Sequence, residues 1–206
     1  MNNANSFSLG IVGLGTVGLA TIKLLENQLD NINKKSGKNI IIKAISAKDK
    51  NKSRSIDINK YDWEESPLKL TEREDIDAIV ELIGGSDGLA KELAYSSIKN
   101  KKLFITANKA LIAKYGYDLH ERISKIGSAI YYEAAVAGAI PVINSIKDGL
   151  VSDNIISIHA ILNGTCNYIL SDMTNNSKSF ADALIKAKEL GFAEADPTFD
   201  IEGIDS

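Results

Sequence analysis

The chain holds one cysteine, Cys166, in 206 residues, so no disulfide can close within it, and a reducing cytoplasm is the expected compartment. No apolar run is long enough to cross a bilayer, so no membrane partner is expected. The start, MNNANSFSLG, lacks the basic residues and long apolar core of a secretory signal. An excess of one charge is missing as well. The 24 basic side chains face 27 acidic ones, a formal net charge of -3, which argues against a nucleic-acid partner. The two histidines, His120 and His159, show no ligand or triad spacing and receive no catalytic role. What is present is a chain 44% hydrophobic and 25% charged, long enough for one large domain or for one domain and part of another.

Apolar periodicity supplies the organisation. Residues 7–12 read as a buried strand, and from Thr16 the positions Val17, Ala20, Leu24 and Leu25 recur at helical spacing to about Leu29. Residues 31–39 read as a polar connection, 40–46 as a β-branched strand and 48–54 as a basic loop. Residues 57–70 are weakly patterned, and Pro67 argues against regular structure there. Strands are predicted at 77–83, 103–106 and 130–135, with helices at 89–99 and 110–126. Near-continuously apolar strands alternating with helices indicate a parallel sheet covered on both faces. The rhythm changes after Pro141. A helix is predicted over 142–150, a long strand over 155–162 and a helix over 165–173. A last helix begins at Ser179, capped with Asp182, and stops near Gly191.

The first chemical motif is Gly13-Leu14-Gly15-Thr16-Val17-Gly18, a G-x-G-x-x-G between a predicted strand and a predicted helix. Gly13 permits a tight turn, Gly15 lets a pyrophosphate approach the backbone, and Gly18 lets the helix lie close to the strand. The helix N-terminus offers N–H groups to the anion. The competing reading is a glycine-rich turn in a non-binding α/β protein. After the second strand, Asp49 is the nearby acid for a ribose 2′-OH, and it lies among lysines. Ser46, Lys48, Lys50 and Arg54 could instead hold a 2′-phosphate, which favours NADP over NAD; a solvated basic loop is the alternative. The expected fold is α/β: a Rossmann-type doubly wound parallel sheet over residues 1–140, followed by the start of an α+β substrate domain over 141–206.

Five further segments carry a resemblance: AIVELIGG (78–85), TANKALIA (106–113), YYEAAVAGAIPVI (131–143), ILNGTCNYIL (161–170) and GFAEADPTFDIEGID (191–205). In this order they resemble the signature blocks of homoserine dehydrogenases. The resemblance implies reversible reduction of aspartate 4-semialdehyde to L-homoserine with NAD(P)H, on the route to threonine, isoleucine and methionine. It implies cofactor contacts at Gly13, Gly15, Thr16, Val17, Gly18, Lys109 and Gly191, with Lys109 also beside the reacting centre. Asn108 would orient Lys109. Glu194 and Asp205 would hold the amino-acid end of the substrate, Asp205 also serving nearby proton handling. Glu133, Val136, Gly138 and Ile140 would surround sodium or potassium, the last three through carbonyls, with Gly138 suiting an unusual backbone shape. The family commonly dimerises through the substrate domain, so a homodimer is implied for the full-length protein.

Two departures stand out. His159-Ala160 replaces a position where the family often has glycine. The family's catalytic lysine follows the GID block, whereas this sequence stops at Ser206, so an N-terminal fragment is expected. Two other readings remain. Aspartate-semialdehyde dehydrogenase would require Cys166 as nucleophile, although Cys166 reads as structural here. A non-catalytic NAD(P)-sensing module is the second.

Overall fold

A computed structural model describes residues 5–193 and 196–203. The chain divides into two compact units, Met1–Val151 and Ser152–Ser206. In the first, β1 (Ser6–Val12), β2 (Asn39–Ser46), β3 (Asp62–Trp63), β4 (Ala78–Glu81), β5 (Leu103–Thr106) and β6 (Ile130–Tyr131) form one sheet in the order β3-β2-β1-β4-β5-β6. Every neighbouring pair is parallel. The chain starts at the centre, winds out through β2 and β3, then returns to β4 and winds the other way. The reversal between β1 and β4 opens a crevice at their C-terminal ends.

Alternation along the strands explains the two covering layers. Ala78 and Val80 of β4 join Leu9, Ile11, Ile22 and Ile45 under α1 (Thr16–Ser36). Ile79 points the other way, into a cluster with Leu70, Leu93, Phe104, Leu111 and Leu119. Those residues come from β5 and from α2 (Pro67–Glu72), α3 (Leu89–Lys99) and α4 (Lys109–Ile126). Each large aliphatic side chain so buried contributes about 1.5–3 kcal/mol.

Four expectations need correction. Helix α1 continues to Ser36, so residues 31–36 are not a connection. Its inward stripe is Ile22, Leu25, Leu29 and Ile32, while Val17 and Leu24 face solvent. The helix stops at Gly37, whose φ of 67° suits glycine. Pro67 does not abolish structure; it starts α2 at the first helical turn, where its missing N–H costs nothing. The strand expected over 130–135 ends at Tyr131, and Glu133–Ala135 form a 3-10 turn. Residues 155–162 form no strand: they are exposed, with no ladder partner among the described residues. The first unit ends with α5 (Val142–Asn144), which continues as a wider turn over Ser145–Gly149.

The second unit contains α6 (Gly164–Asn176), α7 (Phe180–Glu189) and α8 (Thr198–Ile201). Ile169, Ala183, Ala187 and Ala193 form its small core. Asn163 caps α6 by accepting from the Cys166 N–H, and Ser179 caps α7 by accepting from the Asp182 N–H. No helix among the described residues is long and apolar enough to cross a membrane.

Candidate functional site

The glycine turn sits where the crevice opens. Gly13 has φ 101°, and a β-carbon there would lie 2.5 Å from the Leu82 carbonyl oxygen. Its N–H donates to the Ser46 carbonyl at 2.9 Å, tying the turn to the end of β2. A β-carbon on Gly18 would lie 1.9 Å from the Gly13 carbonyl oxygen. Gly15 differs: nothing lies within 4 Å of where its β-carbon would be. Gly15 is also the N-cap of α1 and supplies no capping side chain. The first-turn N–H groups at Thr16, Val17 and Gly18 thus meet no cap from this position, and the space over Gly15 is open to an anion.

Beside this turn, a cavity of about 210 Å³ is lined by Val17, Glu81, Leu82, Ile83, Gly84, Ala107 and Asn108. Sequence reasoning missed Glu81. It ends β4 and is fully buried. Its carboxylate accepts from the Ile83 N–H at 2.8 Å, the Gly84 N–H at 3.1 Å and the Thr106 hydroxyl at 2.5 Å. The Thr106 oxygen accepts from the Asn108 N–H at 2.9 Å. Asn108 then donates to the Gly85 carbonyl at 2.6 Å and caps α4 by accepting from the Leu111 N–H at 3.0 Å. The turns after β4 and β5 are therefore one hydrogen-bonded unit. Lys109, exposed, is the first residue of α4 and follows directly from it. The available signal was an acid closing an otherwise apolar strand, AIVE, three residues before the first of two glycines.

The third corner lies beyond β2. The loop after Ser46 is folded around Arg54, which donates to the carbonyls of Lys50 at 3.2 Å, Lys52 at 2.9 Å and Asp49. The guanidinium lies over the Trp63 ring at 5.6 Å, and the Lys50 ammonium lies 5.9 Å from that ring's centre. Arg54 is thus mainly a scaffold for the loop, a role its spacing did not reveal. Asp49 accepts from the Asn51 N–H at 2.8 Å, and Lys48, Asp49 and Lys50 are all exposed. Among the described residues, the buried side-chain polar atoms without a partner are Ser46 Oγ, Arg54 Nε and Trp63 Nε1. All three can donate, and all belong to this corner. Such orphaned donors fit an anionic group.

In the loop of Glu133, Val136, Gly138 and Ile140, the Glu133 carboxylate accepts from the Ile143 and Asn144 N–H groups at 3.1 and 3.0 Å. It therefore caps α5. The left-handed positions are Ala137, φ 51°, and Ala139, φ 69°, rather than Gly138 as the sequence suggested. The Ile140 carbonyl accepts from the Val142 N–H at 2.8 Å. A carboxylate and three carbonyls are the right donor chemistry for a hard monovalent cation, and these oxygens retain lone pairs beyond those engaged. Nearby, His120 meets Tyr132 edge-to-face at 5.7 Å, and Lys147 lies over the Tyr132 ring at 4.6 Å. Desolvation, assisted by Lys147, lowers the His120 pKa.

In the second unit Gly191 follows α7 with φ 77°. Glu194 and Asp205 lie outside the described residues. Two other acids of this segment make defined local contacts. Asp196 accepts from the Thr198 N–H at 3.2 Å and from its hydroxyl, bonds that lower its pKa, and Asp200 accepts from the Asn163 side chain at 2.8 Å.

Residues 13–133 match the family model described as "Homoserine dehydrogenase, NAD binding domain", and residues 141–206 match "Homoserine dehydrogenase". The chain belongs to the homoserine dehydrogenase family. The homoserine dehydrogenase of Neisseria gonorrhoeae is 42% identical over 199 residues, covering 97% of this chain and 45% of that protein. That of Bacillus subtilis is 37% identical, covering 96% and 46%. Among solved structures, a homoserine dehydrogenase from Thiobacillus denitrificans superposes with a TM-score of 0.84 at 39% identity, covering 97% of this chain and 46% of that one. The chain spans about half the length of the relatives it matches. Membership of the homoserine dehydrogenase family does not favour Cys166 as a nucleophile. Its position agrees: the Cys166 Sγ donates to the Asp200 carbonyl at 3.1 Å, a packing contact between α6 and α8.

Proposed function

We propose that residues 1–140 form the cofactor domain, and residues 141–206 the opening of the substrate domain, of an NADP-dependent homoserine dehydrogenase. The reaction interconverts L-homoserine and L-aspartate 4-semialdehyde within threonine, isoleucine and methionine biosynthesis, in the cytoplasm and in a homodimer. The observation that carries this reading is the glycine turn, closed at Gly13 and Gly18 and open over Gly15. The cofactor supplies the hydride chemistry when bound. The α1 N-terminus, with Gly13, Gly15, Thr16, Val17 and Gly18, holds the pyrophosphate. The orphaned Ser46 hydroxyl, with Lys48 and Lys50, holds the 2′-phosphate, so NADP is preferred to NAD. Lys109 orients cofactor and reacting carbonyl, and Gly191 contacts the cofactor. Glu194 and Asp205 hold the substrate ammonium through charge-assisted hydrogen bonds. Glu133, Val136, Gly138 and Ile140 hold sodium or potassium, which fixes the loop after β6.

The test has two parts. NADPH titrated into the 206-residue chain should raise nicotinamide fluorescence saturably, and NADH should bind more weakly. The full-length gene product should reduce NADP in the presence of homoserine, and Lys109→Ala should lower that rate by at least about a hundredfold, since lost orientation alone is costly. Absence of NADPH binding, or NADP reduction independent of homoserine, would refute the reading.

A further inference from the structure

The carboxylate of Glu81 accepts hydrogen bonds from two N–H groups and one hydroxyl. The Thr106 hydroxyl donates to Glu81 and accepts from the Asn108 N–H, so it links the carboxylate to the turn after β5. Three donors around one carboxyl group are the arrangement of an ionised acid. Its relative exposure is 0%, and among the described residues no cationic side chain pairs with it. Burying a charge without a cationic partner at the end of an internal strand is costly, and an apolar residue would serve the strand better. Glu81 is one of the residues lining the cavity beside the turns after β4 and β5, with no part of it exposed to solvent.

This inference rests on the dinucleotide reading given above. The fold is built from two mononucleotide-binding halves. The glycine turn takes the pyrophosphate and the end of β2 takes the adenosine ribose. By elimination, the β4–β5 side takes the nicotinamide half. The oxidised ring is positively charged and the reduced ring is neutral. We propose that Glu81 selects the redox state of the cofactor: its buried negative charge strengthens binding of the oxidised form relative to the reduced form. It also positions the two turns.

The experiment measures dissociation constants for NADPH, by fluorescence, and for NADP, by displacement, on the 206-residue chain. Glu81→Gln keeps the side chain's shape. Its carbonyl can accept from Ile83 and Gly84, and its amide can donate to the Thr106 oxygen. The ratio of NADP to NADPH affinity should fall on the order of tenfold, as expected for removing one charge a few ångströms from another in a partly desolvated site. Lys109 is present in both proteins, so the comparison isolates the carboxylate. Glu81→Asp keeps the charge but shortens the reach; both affinities should fall while the ratio stays near the parent's. Equal weakening of both forms in Glu81→Gln, or a ratio in Glu81→Asp that matches Glu81→Gln, would overturn the proposal and leave Glu81 a loop staple. Should Glu81→Gln melt below the assay temperature, its titrations are run below its melting point and the same two outcomes decide: a fallen ratio supports the charge effect and an unchanged ratio refutes it. Failure of the parent chain to bind either form would instead refute the dinucleotide reading.

Discussion

The carbonyl oxygen of Gly13 occupies the place of a β-carbon on Gly18: the two would be 1.9 Å apart. Strand β1 and helix α1 therefore meet backbone to backbone, and Gly18→Ala must drive them apart. It should destabilise the first unit by about 3 kcal/mol, the upper range for overpacking. Gly15→Val should leave melting within about 1 kcal/mol of the parent, because that position faces open space. It should nevertheless weaken NADPH binding at least ~100-fold, since bulk would stand where the pyrophosphate must lie. Calorimetry and titration of both variants separate the roles. Similar losses of stability in the two would show that the turn is a packing device only.

Asn108 serves both its helix cap and the Gly85 carbonyl. Asn108→Ala should cost about 1–2 kcal/mol, as a lost cap does. Because Lys109 follows directly, NADPH affinity should also fall about tenfold. Unaltered affinity beside lowered stability would separate the cap from the site.

At the far side of the crevice, Lys48, Lys50 and Lys52 are exposed, the first two assigned to the 2′-phosphate, and Arg54 holds the loop. Lys48→Ala with Lys50→Ala should weaken NADPH about tenfold or more and leave NADH unchanged. The difference should shrink with salt, as exposed charges are screened beyond about 10 Å at 0.1 M. Arg54→Ala should unfold the loop and weaken both cofactors. A double lysine variant that discriminates as the parent does would refute the 2′-phosphate assignment.

Away from the crevice, Arg73 bridges Asp62 at 2.6 Å and Asp75 at 2.8 Å, and Lys43 approaches Asp75 at 3.5 Å. The Arg73 hydrogen bond, with Lys43 adding attraction and burial opposing it, lowers the Asp75 pKa to about 2. An unfolded aspartate titrates at about 3.9. The folded form thus binds its proton less readily, and the resulting stability is complete above about pH 4 and is lost as pH falls towards 2. Asp75 is half exposed, so the effect is modest and screened by salt. Melting temperature against pH should be flatter between 2 and 4 in Asp75→Asn than in the parent. Identical slopes would show that the pair contributes nothing.

Most of the sheet was legible because a strand buried on both faces must be nearly all apolar, as AIVE and LFIT are. The glycine turn was legible for a similar reason: few sequences need three glycines at that spacing. Glu81 stayed hidden because an acid at a strand's end reads as a terminator. Its meaning depends on Thr106, 25 residues away. Arg54 misled in the opposite sense: a basic residue after β2 suggests a phosphate, yet its fork closes on its own loop's carbonyls. The second half of α1 looked like a connection because its inward stripe is thin, one or two apolar residues per turn. Residues 155–162 have the alternation of a strand, but alternation specifies a face, and only a neighbouring strand supplies the ladder.

That last segment carries a consequence for handling the protein. The run NIISIHAIL (154–162) contains no proline and no acidic, lysine or arginine side chain, and Ile156 is 97% exposed and Ile161 76%. Its composition is that of segments that stack into cross-β ribbons, and among the described residues no strand lies beside its main chain to occupy those hydrogen bonds. Concentrated stocks should therefore turn cloudy through this stretch. A broad-specificity protease should make its first cut here, before it digests the sheet or the α6–α7 pair.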